Sequence, residues 1–270
     1  MTELRGMPVV SAMIEKLPEF TVTPKLSIIR VGENEDDLAY ERGIIKRFGA
    51  VGAEVDVNVL PSDCDQLALN DTMIRLNNDN SVHGILLFRP LPKHLSEDIL
   101  KPLISPEKDV DCFGLVNNAY VYSGDKRGYP PCTPQAVIEL LDFYGIDVTG
   151  KKITIVGRSM VVGKPLAMLL LQKNATVTIC HTKTADLESE CRNADILIAC
   201  AGKAKMITEN YVHSEQIVID VGINMLDGKL CGDVDYEAAA DKVKMITPVP
   251  GGVGTVTTSV LLKHTVKRGL

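Results

Sequence analysis

The 270-residue chain contains no uninterrupted apolar run of about 18 residues, the length a membrane-crossing helix needs. Its start, MTELRGMPVV, lacks the basic-then-apolar pattern of a secretion signal. A soluble, cytoplasmic protein with no membrane partner is therefore expected. Basic charge is not in excess either, since 29 Lys and Arg stand against 35 Asp and Glu, mixed along the sequence. Without a basic stripe to track a phosphate backbone, nucleic acid is not expected as a partner. The seven cysteines are odd in number and scattered, with no CxxC pair and no His/Cys cluster at zinc-ligand spacing. They read as small core or surface residues in a reducing compartment, and no metal is expected. No HExxH or triad-like signature surrounds the histidines.

What is present is enough apolar content, 45%, for two modest domains or one large one. KLSIIRV (Lys25 to Val31), AEVDVNVL (Ala53 to Leu60) and VHGILLF (Val82 to Phe88) read as strands, each separated by helical periodicity long enough for a crossover. That is a βαβ series and a parallel sheet. A second series follows the predicted helix Thr133 to Ile146, with Thr133 as N-cap and Pro134 at its first position. KKITIVG, ATVTIC, ADILIAC and QIVIDVG are nearly all apolar, as strands covered on both faces should be, and KVKMITP supplies another. Turn formers and charges gather in GDKRGYPP, so the predicted domains are 1–120 and 121–254, with a final helix at about 255–270 packing back on the first. The expected fold class is α/β: two α/β domains with parallel sheets, the second a Rossmann-type dinucleotide-binding domain.

The strand KKITIV leads into Gly157-Arg158-Ser159-Met160-Val161-Val162-Gly163-Lys164-Pro165 and then a helical run. A glycine-punctuated turn there offers backbone N–H groups at the positive end of a helix, where a pyrophosphate binds. The spacing is not GxGxxG, so an ordinary tight βα turn is the alternative. The next strand ends Ile179-Cys180-His181-Thr182-Lys183 without the acid that usually holds a ribose in NAD-selective domains. Arg158, Thr182 and Lys183 could instead hold a 2′-phosphate, which favours NADP over NAD, although Lys183 alone reads as a solvated loop lysine. Two further glycine-rich turns, Asp220 to Asn224 and Thr247 to Gly254, follow strands of this half, and glycine lets backbone approach a flat ring closely.

PEKDVDCFG (Pro106 to Gly114), PCTP (Pro131 to Pro134), VGRSMVVGKP, VIDVGIN and TPVPGGVGT together resemble the methylenetetrahydrofolate dehydrogenase/cyclohydrolase family of FolD type. The resemblance runs nearly end to end. It implies a folate substrate, NADP on the Rossmann half and a homodimer, in one-carbon metabolism. By position it implies that Tyr40 lies beside the substrate and that Asp111 binds the pterin, with turn capping as the alternative role for Asp111. A carboxylate suits that place because the pterin's 2-amino group and N3–H form a donor edge it can accept from bidentately. Gly157, Arg158, Ser159, Thr182 and Ile223 correspond to cofactor contacts; Pro250, Gly251 and Gly252 correspond to the substrate cleft.

The chain also departs from the pattern. Four residues after the tyrosine the family has a lysine central to catalysis, and here stands Ile44. Lys46 is rotated about 240° from Tyr40 at roughly 100° per residue, and Arg47 lies about one turn beyond Ile44. Phe88 replaces a usual glutamine and Asp37 a usual serine; Arg89 is adjacent to Phe88, but alternate strand residues face opposite ways, so in a bifunctional enzyme Lys46 or Arg89 would have to reach the site through a local shift.

Hydride loss from the methylene bridge leaves a delocalised cation and requires no proton transfer, so positioning suffices. Hydrolysis of the methenyl product needs a group of tunable pKa, which isoleucine is not. The expectation is a dehydrogenase with weak or absent cyclohydrolase activity. The alternatives are the fully bifunctional enzyme, a dehydrogenase for another small substrate, and a non-catalytic folate- or nucleotide-binding homologue.

Overall fold

The β-branched apolar runs form the strands: β1 (Thr2–Glu3), β2 (Lys25–Val31), β3 (Glu54–Leu60), β4 (Gly84–Leu87), β5 (Lys152–Val156), β6 (Thr176–Cys180), β7 (Ile196–Ala199), β8 (Ile217–Asp220), β9 (Asn224–Leu226), β10 (Lys229–Cys231) and β11 (Met245–Ile246). The structure, a computed structural model, describes residues 1–268. Its contacts divide the chain into two units. One holds Lys16–Cys132 and the chain from Thr258 onward; the other holds Met1–Glu15 and Thr133–Thr257.

In the Lys16–Cys132 unit the sheet runs β3-β2-β4, all parallel, with β2 central and Leu26, Ile28 and Ile29 fully buried. The helix Glu35–Gly49 follows β2. Its start is fixed by Asn34, whose side chain accepts the Asp36 N–H at 2.9 Å. Glu35, Asp36 and Asp37 in the first turn and Lys46 and Arg47 in the last complement the helix dipole. The buried face presents Ile44 and Phe48, both without solvent exposure, and each contributes about 2 kcal/mol by burial.

The other unit is built on a six-stranded sheet ordered β1-β11-β8-β7-β5-β6, every pair parallel. The chain passes from β5 outward to β6 and then returns past β5 to β7. Strand order therefore reverses between β5 and β7, and ligands of open α/β sheets collect at such a switch point, beyond the carboxyl ends of the strands. The hairpin β9–β10 is antiparallel and stands apart from this sheet. Among the described residues no helix is long and apolar enough to cross a membrane.

Three boundaries differ from the sequence reading. Met1–Glu15 joins the second unit rather than 1–120, because β1 adds to β11 and the Gly6 N–H donates to the Gly251 carbonyl at 2.8 Å. The division falls between Cys132 and Thr133 rather than at 120/121. Residues up to Cys132 are tied backward: Asn117 Nδ2 donates to the Asp109 carbonyl at 2.9 Å and the Cys132 N–H to Asp111 Oδ1 at 2.8 Å. That last bond also explains why the helix Cys132–Phe143 starts before Thr133, with a distant carboxylate meeting its first N–H where the Thr133 hydroxyl was expected. The C-terminal helix is Val253–Arg268; the last two residues of the expected 255–270 lie outside the described ones. Beyond Thr258 it clusters with the Lys16–Cys132 unit, where His264 Nδ1 donates to the Val110 carbonyl at 2.8 Å.

Candidate active site

At the end of β5 the backbone of Gly157 has φ 140°, and a Cβ there would lie 2.3 Å from the Cys200 carbonyl oxygen at the end of β7. The helix Gly163–Gln172 begins so close that a Cβ on Gly163 would sit 2.1 Å from the Gly157 carbonyl oxygen. Both positions require glycine for lack of room. Between them Ser159 shapes the turn, its Oγ accepting the Val162 N–H at 3.0 Å and its carbonyl the Lys164 N–H at 3.1 Å. The result is a tight glycine-bounded turn at a helix N-terminus and at the switch point of the sheet, the kind of place where a dinucleotide pyrophosphate binds. Arg158 and Ser159 are exposed beside it, and Thr182 and Lys183 are exposed beyond β6. The need for glycine at 163 comes from its contact with Gly157 and not from a left-handed backbone, so sequence alone does not reveal it.

Ile223, Pro250, Gly251 and Gly252 line one pocket of about 210 Å³ in this same unit. Two buried carboxylates, which the sequence reading missed, shape its surroundings. Asp220 accepts backbone N–H bonds from Gly222, Asp233 and Val234 at 2.9–3.0 Å. Asp233 accepts from the N–H groups of Ala201, Gly202 and Lys203 and from Asn224 Nδ2 at 2.6–3.0 Å. Together they join the turns after β7 and β8 to the end of the hairpin. Burial pushes the Asp220 carboxyl up to about 6 against those donors. Gly6 was also missed: a Cβ there would stand 2.3 Å from the Gly252 carbonyl oxygen.

In the Lys16–Cys132 unit, Tyr40 packs on Phe88 with ring centroids 5.6 Å apart and planes tilted by 34°. Desolvation of the phenol, with the Cys132 thiol and the Asp111 carboxylate close by, raises the Tyr40 pKa well above its usual range. Tyr40 and Asp111 thus share one neighbourhood. Asp111 Oδ1 caps the Cys132 N–H, so the capping role is real, while Oδ2 faces Arg89 Nη2 at 3.5 Å. Arg89 lies past the end of β4, where strand alternation no longer dictates direction, and its guanidinium stacks over the Phe113 ring at 5.3 Å. The alternation that discounts Arg89 in the sequence does not hold at this position, and Arg89 stands beside Asp111. Its partner is Asp111; Asp37 instead lies near Arg30, which is itself bonded to Glu41 at 2.8 Å.

The position four residues after Tyr40 is apolar core, since Ile44 is fully buried. Lys46 is exposed, and Arg47 is half-buried with its Nε lacking a partner. Beneath Asp111, the fully buried Asp109 accepts the N–H groups of Phe113 and Gly114, both at 2.8 Å, and Asn117 Nδ2 at 3.0 Å. Burial nevertheless drives its carboxyl up to about 6. The Val110 carbonyl accepts from both His264 Nδ1 and, at 3.4 Å, Cys132 Sγ. Among the described residues no group of three or more His, Cys, Asp or Glu gathers to hold a metal ion.

Comparison with known proteins matches these two regions separately. Residues 7–111 match the family model "Tetrahydrofolate dehydrogenase/cyclohydrolase, catalytic domain", and residues 131–269 match its "NAD(P)-binding domain". The bifunctional protein FolD of Clostridioides difficile is 53% identical over 98% of this chain and 95% of its own length. Among solved structures, the bifunctional FolD methylenetetrahydrofolate dehydrogenase/cyclohydrolase of Campylobacter jejuni superposes with TM-score 0.96 at 40% identity, covering 100% of this chain and 98% of that one. The Trypanosoma brucei N5,N10-methylenetetrahydrofolate dehydrogenase-cyclohydrolase, complexed with NADP cofactor and inhibitor, gives TM-score 0.90 at 33% identity over 98% and 94%. With both of its domains matched and relatives at half identity along nearly their whole length, the chain belongs to the tetrahydrofolate dehydrogenase/cyclohydrolase family.

Proposed function

We propose that this chain oxidises 5,10-methylenetetrahydrofolate to 5,10-methenyltetrahydrofolate with NADP as hydride acceptor. The observation that carries this reading is the Gly157–Gly163 turn at the switch point of the sheet, where strand end and helix start approach too closely for any Cβ and the helix N-terminus is brought beside the strand end. When bound, NADP accepts a hydride at C4 of its nicotinamide ring. Arg158, Ser159 and Thr182 would hold its phosphates and ribose, and Ile223 would set the depth of the ring. The NADP complex of the Trypanosoma brucei relative supports NADP over NAD.

On the other unit, Asp111 would accept from the pterin's donor edge and Tyr40 would pack against the folate. Pro250, Gly251 and Gly252, which line a pocket of their own unit with Ile223, would contact the substrate there. Holding the bridging carbon in reacting geometry is the main requirement, because no proton leaves with the hydride. The test is reduction of NADP by the purified enzyme with methylenetetrahydrofolate. Absence of reduction with either NADP or NAD would overturn the reading.

The relatives at about half identity are named bifunctional, which favours hydrolysis of the methenyl product by this chain as well. In that bifunctional reading a group other than residue 44 must move the proton. A second reading, dehydrogenase with weak or absent cyclohydrolase, rests on one observation: Ile44 and Phe88 leave buried apolar surface where a titratable group would serve. Following decay of methenyl absorbance on the same preparation separates the two. Catalysed decay as fast as hydride transfer supports the bifunctional enzyme; decay at the uncatalysed rate supports the second reading.

A cytoplasmic homodimer completes the proposal. Val59 on the edge strand β3, with Leu67 and Ile74 on the next helix, leaves apolar surface exposed on the Lys16–Cys132 unit. Light scattering of the eluted protein checks the dimer.

A further inference from the structure

We propose that Arg89 binds the substrate directly, donating to the 4-oxo group of the pterin beside the edge that Asp111 accepts from. This deepens the folate reading of Asp111 and rests on it. A 2-amino-4-oxopteridine presents three polar atoms in a row: the 2-amino group and N3–H donate, and O4 accepts. A carboxylate alone answers the first two. A cation adjacent to that carboxylate answers the third.

The side chains present have that order. Asp111 is held by its Oδ1 bond from the Cys132 N–H at 2.8 Å, and each carboxylate oxygen retains capacity for another donor. Arg89 Nη2 sits 3.5 Å from Asp111 Oδ2, too long for the guanidinium to be committed to it. Arg89 has five N–H donors, and among the described residues Asp111 takes one of them. Its guanidinium carbon lies over the Phe113 ring, 5.3 Å from the centroid, so the group is held in place before any ligand arrives. The pair is neither buried away nor free in solvent, with side-chain exposures of 20% for Arg89 and 21% for Asp111. A purely structural ion pair would close to a bidentate fork. This one stands open at 3.5 Å, which leaves donors on Arg89 and acceptor capacity on Asp111 for neighbouring atoms of one ring edge.

The test compares two competitive ligands, folic acid and its 4-amino-4-deoxy analogue aminopterin, by their inhibition constants against methylenetetrahydrofolate. The wild-type enzyme should prefer folic acid. Arg89→Leu should weaken folic acid about tenfold or more, the range of one hydrogen bond to a charged donor, while leaving aminopterin unweakened, because its 4-amino group cannot accept. Arg89→Lys, which keeps one donor and the charge, should recover part of the preference and guards against a leucine variant that folds poorly. Equal weakening of both ligands, or of neither, would overturn a direct role for Arg89. Asp111→Asn separates the two levels: if it leaves both ligands unaffected, the folate reading of Asp111 itself fails. If it weakens them while Arg89→Leu preserves the preference, only the Arg89 inference fails.

Discussion

Asp109 offers a direct contest between desolvation and hydrogen bonding. Its carboxylate has no solvent exposure and accepts three donors, yet its pKa stands at about 6 against an ordinary 3.8. That rise corresponds to about 3 kcal/mol between protonation states. Because the folded pKa lies above the unfolded one, its stabilising contribution is complete below about pH 4 and is lost as pH rises through about 6. Asp109→Asn cannot titrate. At pH 4 the native group is a neutral carboxyl whose two oxygens can both still accept, whereas the NH2 of asparagine cannot, so there the variant should be about 1–3 kcal/mol less stable.

The gap between wild type and variant should then shrink by about 3 kcal/mol between pH 4 and pH 8, closing or reversing. Urea unfolding followed by circular dichroism is the assay, since the chain has no tryptophan to report by fluorescence. A gap that stays constant, or widens with pH, would show that the three donors outweigh burial and that the carboxyl titrates at or below its ordinary value.

His264 behaves with the opposite sign: burial lowers its pKa from 6.5 to about 4, so wild-type stability should fall as pH drops from 6.5 toward 4. His264→Gln should remove that part of the acid sensitivity, read from the pH dependence of the unfolding midpoint. Gly163→Ala should weaken NADP at least tenfold, read by titration of the whole purified protein, while folate binding to the same protein stays unchanged, because its Cβ would enter the Gly157 carbonyl; equal loss of both ligands would point to general unfolding. Ile44→Lys should cost about 2–4 kcal/mol of stability by placing an ammonium in the core. If residue 44 limits hydrolysis, the same variant should raise the ratio of hydrolysis to hydride transfer by 10² or more; a folded variant with an unchanged ratio would remove residue 44 from the argument.

Local chemistry wrote much of this fold. The apolar run Lys25 to Val31 is β2 residue for residue, and the glycine word after KKITIV lies at the strand-to-helix turn where a pyrophosphate site belongs. The position of Ile44 on the face below Tyr40 followed from helical spacing alone, and burial of that face keeps a titratable group away from it. Arg89 was misjudged because alternation applies only inside a strand, and β4 ends two residues earlier at Leu87. A sequence pattern of short period has no means of registering where a strand stops being constrained.

The remaining features belong to the tertiary structure. Thr2–Glu3 is too short to signal a strand, and it becomes one only because β11, more than 240 residues away, presents an open edge. The Val110 carbonyl is tied by His264 from 154 positions along the chain, and Asp233 collects N–H groups from a loop some 30 residues before it. Periodicity reads which face of an element is apolar, since that is decided within a few residues. Which buried donor meets which acceptor is decided by packing, because an unmet polar group in the core costs enough to select its partner from anywhere in the sequence.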